Sequence, residues 1–121
     1  MALDVEILAI DNIESAKSTM AGIGVTARGQ EIMAEKMVFR VVRLRDIDTR
    51  AANILKQTML SNGGEAAVSA ATVNLSAEKT DVILAGTLKT LRLAAKRLEE
   101  QPWGLKSVAI KLCEILEQGR N

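Results

Sequence analysis

Between Asn53 and Val68 the chain has room for one kind of structure. From Asn53 to Ser61 the apolar residues Ile54, Leu55, Met59 and Leu60 keep helical spacing, and Asn62-Gly63-Gly64 supplies the left-handed residue that ends a helix. Glu65-Ala66-Ala67-Val68-Ser69 then reads at once as a strand, so the domain is folded around one tight reversal. A strand-helix-strand unit with so short a return implies parallel strands joined by a right-handed crossover. The strand that precedes it is the run from Met37 to Leu44, rich in Val and Phe, central at its start and more exposed toward Arg45.

The remaining elements are set around that unit. Val5-Glu6-Ile7-Leu8-Ala9-Ile10, bounded by Asp4 and Asp11, reads as a first, mostly buried strand. Asp11 with Glu14 three residues on reads as a reciprocal cap of a helix striped by Ile13, Ala16, Met20 and Ile23 and ended by Gly22 and Gly24. Glu31 to Lys36 offers one or two helical turns after Gly29. Asp48 is the N-cap of the central helix, which sets Ala51, Ala52, Leu55, Thr58 and Met59 opposite Arg50, Lys56 and Gln57. Thr72 to Leu75 reads as extended, Ser76 to Lys79 as a polar turn, and Asp81-Val82-Ile83-Leu84-Ala85 as a strand. A helix follows with Leu88, Leu91, Ala94, Ala95 and Leu98 inward, stopped by Gln101-Pro102-Trp103-Gly104. The last helix, Leu105 to Gln118, buries Val108, Ala109, Leu112, Ile115 and Leu116. The expectation is one α/β domain over residues 1–118, a small, mostly parallel sheet of about four strands layered with about four helices, with Gly119-Arg120-Asn121 as a tail or linker stub.

A chain of 121 residues can bury one sizeable core without metals or disulfides, and with Phe39 and Trp103 as its aromatic residues that core is built from aliphatic side chains. A net charge of +1 gives no reason to expect nucleic acid or an anionic membrane as partner. One cysteine excludes an internal disulfide framework, and the absence of histidine removes the commonest general base and metal ligand. No basic leader followed by an apolar run opens the chain, and no apolar stretch approaches membrane-spanning length. The expectation is a soluble, cytoplasmic protein without a cofactor or metal.

Few residues stand out as chemistry. Gly63-Gly64 lacks the spacing of a phosphate loop and reads as a helix end. Gly86-Thr87 joins a strand end to a helix start, where free amides favour an anion, and Lys89, Arg92 and Lys96 lie on the same helix. Gly86, Thr87, Lys89 and Arg92 are therefore the candidate anion site, and a structural turn with a solvated face is the plainer reading. Arg40 has the opposite parity to Arg43 and Arg45, so the three make no flat basic surface. Asp46 and Asp48 are close enough for a paired acid and base, but Asp48 is already committed to a helix start. Cys113 reads as core packing beside Leu112 and Leu116, and Trp103 as either an exposed contact or a plug between the last two helices. No catalytic residue emerges.

The residues carry a resemblance that periodicity does not supply. Arg50-Ala51-Ala52-Asn53-Ile54-Leu55-Lys56-Gln57, Met59-Leu60-Ser61 and Gly63-Gly64-Glu65-Ala66-Ala67-Val68 form one series. Thr80-Asp81-Val82, Gly86-Thr87-Leu88-Lys89 and Gln101-Pro102-Trp103-Gly104-Leu105 continue it in order, with Ile32-Met33-Ala34 and Phe39-Arg40-Val41 upstream. The whole resembles the amino-terminal region found ahead of the barrel in dihydropteroate synthases of clostridial type. The resemblance implies a place in folate biosynthesis, where the full enzyme joins a dihydropterin diphosphate to 4-aminobenzoate and releases diphosphate. That chemistry belongs to a TIM barrel, whose Asn-rich, Thr-Pro-Asp-Ser-Phe-like loop and eight strand-helix units have no counterpart here. The implied role is a non-catalytic accessory domain that docks on the TIM-barrel catalytic domain, covers a barrel edge or helps form a homodimer. Lys56, Gln57, Asn62, Gly63 and Gly64 are then the candidate interaction surface. The alternative is a small-molecule or anion-binding regulatory module using Gly86, Thr87, Lys89 and Arg92.

Overall fold

Along Lys79–Thr87 exposed and buried side chains alternate, with Thr80, Val82, Leu84 and Gly86 turned inward, and this strand, β3, is the centre of the sheet. The structure is a computed structural model and describes residues 2–118, so the expected linker stub at 119–121 lies outside the described residues. In chain order the elements are α1 (Ile13–Gly22), α2 (Ala27–Ala34), β1 (Phe39–Asp48), α3 (Thr49–Ser61), β2 (Glu65–Val68), α4 (Ala70–Val73), β3, α5 (Leu88–Leu98) and α6 (Leu105–Gln118).

The sheet has three strands in the order β1-β3-β2, and both neighbours pair antiparallel with β3, for example Val41 with Ala85 and Ala67 with Ile83. This corrects the expected mostly parallel sheet of four strands with four helices: among the described residues there are three strands, every pairing is antiparallel, and there are six helices. The physical reason lies in what a crossover fixes. It requires β1 and β2 to run the same way, as two strands each antiparallel to β3 do, but it does not require them to be neighbours. The later strand enters the gap of roughly 10 Å, twice the interstrand spacing, between them. β1 is accordingly an edge strand rather than a central one, and its pairing shifts register between Leu44 and Ile47, where Asp46 takes φ 52°.

The expected strand at Val5–Ile10 does not form, and residues 2–9 are exposed and unpaired. An apolar β-rich run becomes a strand only when a ladder receives it, and neither edge of this sheet does. Thr72–Leu75, expected to be extended, instead begins within α4, where the buried Thr72 hydroxyl lies 3.2 Å from Ser69 Oγ and the Asn53 side-chain amide donates to the Thr72 carbonyl. Asn12, not Asp11, caps α1, its side chain accepting from the Ser15 amide at 2.7 Å. Of the helical turns expected at Glu31–Lys36, Glu31 to Ala34 belong to α2, which starts earlier, capped by Thr26, and ends before Glu35.

Helices α3 and α5 lie on the inner face of the sheet, where Leu55, Met59, Leu88 and Leu91 join Val42, Val82, Leu84 and Ala66 in a core of aliphatic side chains. α6 packs on α5 through Leu105, Ala109, Leu112 and Leu116. Val108 is only partly buried and Ile115 is exposed, against the inward placement expected of both.

The reversal after α3 has two glycines with different tasks. Gly63 sits at φ +82° with open space around it, while the Gly64 amide donates to the Met59 carbonyl at 2.8 Å. A Cβ at Gly64 would lie 2.7 Å from Met59 Cε, 2.8 Å from Thr90 Cγ2 and 3.0 Å from the Ala85 carbonyl oxygen. The substitution Gly64→Ala should cost about 1–3 kcal/mol through overpacking. Gly63→Ala should cost roughly 1–2 kcal/mol through left-handed strain alone. Urea denaturation should show both as lower midpoints with unchanged slope, and structural perturbation at Met59 and Thr90 only for Gly64→Ala.

Candidate functional site

The two sets of residues singled out in the sequence meet at one junction, the end of α3 against the start of α5. Thr90 Cγ2 and Met59 Cε lie between Gly64 and Gly86, the former 3.1 Å and the latter 3.6 Å from where a Gly86 Cβ would stand. Thr90 Oγ1 donates to the Asn62 carbonyl at 3.0 Å, and its amide donates to Thr87 Oγ1 at 3.2 Å. Thr87 thus caps α5 with its own side chain. The next amides are engaged as well: Leu88 donates to the Val38 carbonyl at 2.9 Å and Lys89 to the Glu35 carbonyl at 3.2 Å.

Gly86, Thr87, Lys89 and Arg92 therefore gather on the first two turns of α5, but with a carboxylate among them. Arg92 donates from Nε and from Nη2 to Glu35 Oε2, at 3.2 and 3.0 Å. Of the candidate interaction surface, Gln57 and Gly63 are exposed, whereas Lys56, Asn62 and Gly64 are half-buried. Asn62 Nδ2 donates back to the Thr58 carbonyl at 2.8 Å, which makes it part of the helix end. What this junction offers is a rigid, shaped corner with one helix end and one helix start presented side by side.

A second feature escaped the sequence reading. The Asp48 carboxylate caps α3 by accepting from the Arg50 amide at 2.8 Å and also accepts from the Arg50 guanidinium at 3.1 and 2.8 Å. These bonds hold the Asp48 carboxyl down at about 2, the side-chain bond from Arg50 contributing most. The same guanidinium lies 4.9 Å from the centroid of the Trp103 ring, so the half-exposed Trp103 ties the α5–α6 joint to the start of α3. Asp48, Arg50, Leu75, Ala77, Glu78 and Lys79 border an open cleft of about 490 Å³. Asp48 was legible as a cap, but nothing in sequence spacing links Arg50 to Trp103.

Asp46 and Asp48 do not form an acid-base pair. The Asp46 backbone amide donates to Asp81 Oδ1 at 3.1 Å, while the Asp48 carboxylate is taken up by Arg50. Asp81 is held below the ordinary carboxylate range mainly by the Arg43 guanidinium, 2.9 Å away. Cys113 also departs from expectation: it is exposed and borders a small cleft of about 110 Å³ with Glu35, Leu88, Arg92 and Leu116. One residue past the buried Leu112 is about 100° around the helix, enough to turn its thiol off the packed stripe. No grouping of three or more metal-ligating side chains occurs among the described residues, and no helix there is long and apolar enough to cross a membrane.

A depressed folded-state pKa stabilises the fold above the unfolded value and loses that contribution as pH falls through the folded one. For Asp48 the window runs from the ordinary carboxylate value of 3.8 down to about 2. The stability difference between wild type and Asp48→Asn should be flat above that window, shrink within it and weaken with added salt, as measured by denaturation at stepped pH. Native Cys113, being exposed, should be labelled by a thiol reagent without prior unfolding of the chain.

The chain matches no protein-family model and no solved structure. It is 34% identical over 107 residues to the "Probable bifunctional folylpolyglutamate synthase/dihydropteroate synthase" of Halobacterium salinarum, a match covering 88% of this chain and 13% of that protein. With the protein of the same description from Haloferax volcanii it is 36% identical over 84 residues, 69% of this chain and 10% of that one. The homologues of this chain are thus folate-related synthases, of whose length it spans only about a tenth.

Proposed function

We propose that this chain is a non-catalytic accessory domain of a dihydropteroate synthase, acting in folate biosynthesis by docking on the catalytic part of the enzyme. The observation that carries the reading is the match itself: 88% of this chain aligns with a segment that makes up 13% of a bifunctional synthase. The resemblance to the region ahead of the barrel in clostridial-type synthases agrees with that assignment and makes a TIM-barrel domain the partner. The junction built from Gly63, Gly64, Gly86 and Thr90 fits such a role, because close packing without a chemical constellation suits a part that is held against another. Lys56, Gln57, Asn62, Gly63 and Gly64 are the proposed contact surface, with exposed Gln57 and Gly63 at its centre.

The reading is tested by supplying the isolated domain to the separately produced catalytic domain. We expect saturable binding and a changed rate of dihydropteroate formation, with the domain alone producing none. Gln57→Glu together with Lys56→Glu should weaken binding roughly tenfold or more while leaving the domain folded by circular dichroism. No binding and no change in rate would reject the docking role. In the regulatory reading, pterins, folates, nucleotides or phosphate would raise the melting temperature. Because Thr87, Val38 and Glu35 already satisfy the first amides of α5, the expected response to phosphate is none.

A further inference from the structure

Arg50 belongs to two places at once. Along its edge, Nε and Nη2 donate to the Asp48 carboxylate at 3.1 and 2.8 Å, in the open cleft that Leu75, Ala77, Glu78 and Lys79 complete. Against its flat face, with the ring centroid 4.9 Å away, lies Trp103, in the joint between α5 and α6. A guanidinium is planar, so two bonds along one edge fix the plane that the indole meets. Asp48 also accepts from the Arg50 amide at 2.8 Å, which refers that plane to the backbone of α3.

The joint depends on that plane. Its backbone bonds are local, Gln101 donating to the Leu98 carbonyl at 3.1 Å and Leu105 to the Pro102 carbonyl at 3.3 Å, and they set the shape of the turn rather than its place against α3. Trp103 takes φ 57° and Gly104 φ 80°, and a residue with a Cβ adopts this left-handed form only at a cost. The stack on Arg50 offsets part of that cost for an indole that is otherwise 46% exposed. Leu98 and Leu105, fully buried on either side, pin the two helices, so any freedom is confined to the loop between them.

We infer that Asp48 is a positioning residue for Trp103, acting through Arg50, and that the three side chains couple the cleft to the α5–α6 joint. A group that enters the cleft and takes either the Asp48 carboxylate or the Arg50 guanidinium turns the guanidinium plane, unstacks the indole and loosens residues 99–104. Coupling of this kind is reciprocal. A surface that captures the half-exposed Trp103 therefore releases Arg50 and changes the charge that the cleft presents. The device is independent of the proposed role in folate synthesis.

Trp103 is the sole tryptophan and the chain has no tyrosine, so intrinsic fluorescence reports on this stack alone. Asp48→Asn keeps a side chain that caps α3 but removes the carboxylate that grips Arg50. It should raise the acrylamide quenching constant of Trp103 and speed amide exchange across residues 99–104 roughly two- to fivefold, the factor an exposed stack supports. Arg50→Met should do the same, and in that background Asp48→Asn should change nothing further, with circular dichroism showing each variant folded. Glu78→Gln removes a carboxylate of the same cleft that acts on Arg50 through its field, and should leave both readouts at wild type. Wild-type quenching and exchange in Asp48→Asn overturn the inference. So does an effect of Asp48→Asn that persists in full beside Arg50→Met, or an equal effect of Glu78→Gln.

Discussion

The arrangement of this domain depends on how closely the turn at Gly63-Gly64 approaches the start of α5. With Gly64 lacking a Cβ, Met59 and Thr90 reach into the space a side chain would fill, and Thr90 holds the Asn62 carbonyl across the gap. That contact fixes where α3 ends relative to where α5 begins. Since each helix is joined to a strand at that end or nearby, it also fixes β2 beside β3. The aliphatic core fills the space so defined, and its many small contacts supply stability where no aromatic cluster or crosslink does.

Local rules made much of the chain legible. Periodicity gave α3, α5 and α6 because their apolar residues recur at helical spacing, and the Pro102-Trp103-Gly104 stop lies between α5 and α6 as expected. Asp48 was readable as a cap because a short carboxylate before an apolar-periodic run has one favourable use. Strand order was not readable, since the crossover constrains direction while adjacency depends on β3, which comes later in the chain. Val5–Ile10 misled for a related reason: β-propensity measures fitness for a pleated, half-buried surface, and whether that surface exists is decided elsewhere.

The candidate site was legible in its parts and not in its assembly. Gly63-Gly64 and Gly86-Thr87 each read as structural turns, and nothing in their spacing says that they touch. Their contact runs through Thr90, a residue with no motif of its own. The charged groups behave similarly. Arg92 looked like part of a basic helix face, but Glu35 comes from α2's far end to meet it, and Arg50 is shared between the adjacent Asp48 and the distant Trp103. Ion pairs across elements leave no periodic trace in a sequence.

The middle position of β3 also bears on how the chain reaches its folded form. β1 and β2 flank a gap and make no hydrogen bonds to each other, so neither has a ladder until β3 enters between them. During synthesis, then, the first two strands and the helix between them leave the ribosome as unpaired elements, and the sheet closes only after residue Thr87 has been made. Sheet formation is in this sense all-or-none, governed by contacts of long sequence separation such as that between Phe39 and Thr87. The order in which the strands are written is not the order in which they can act.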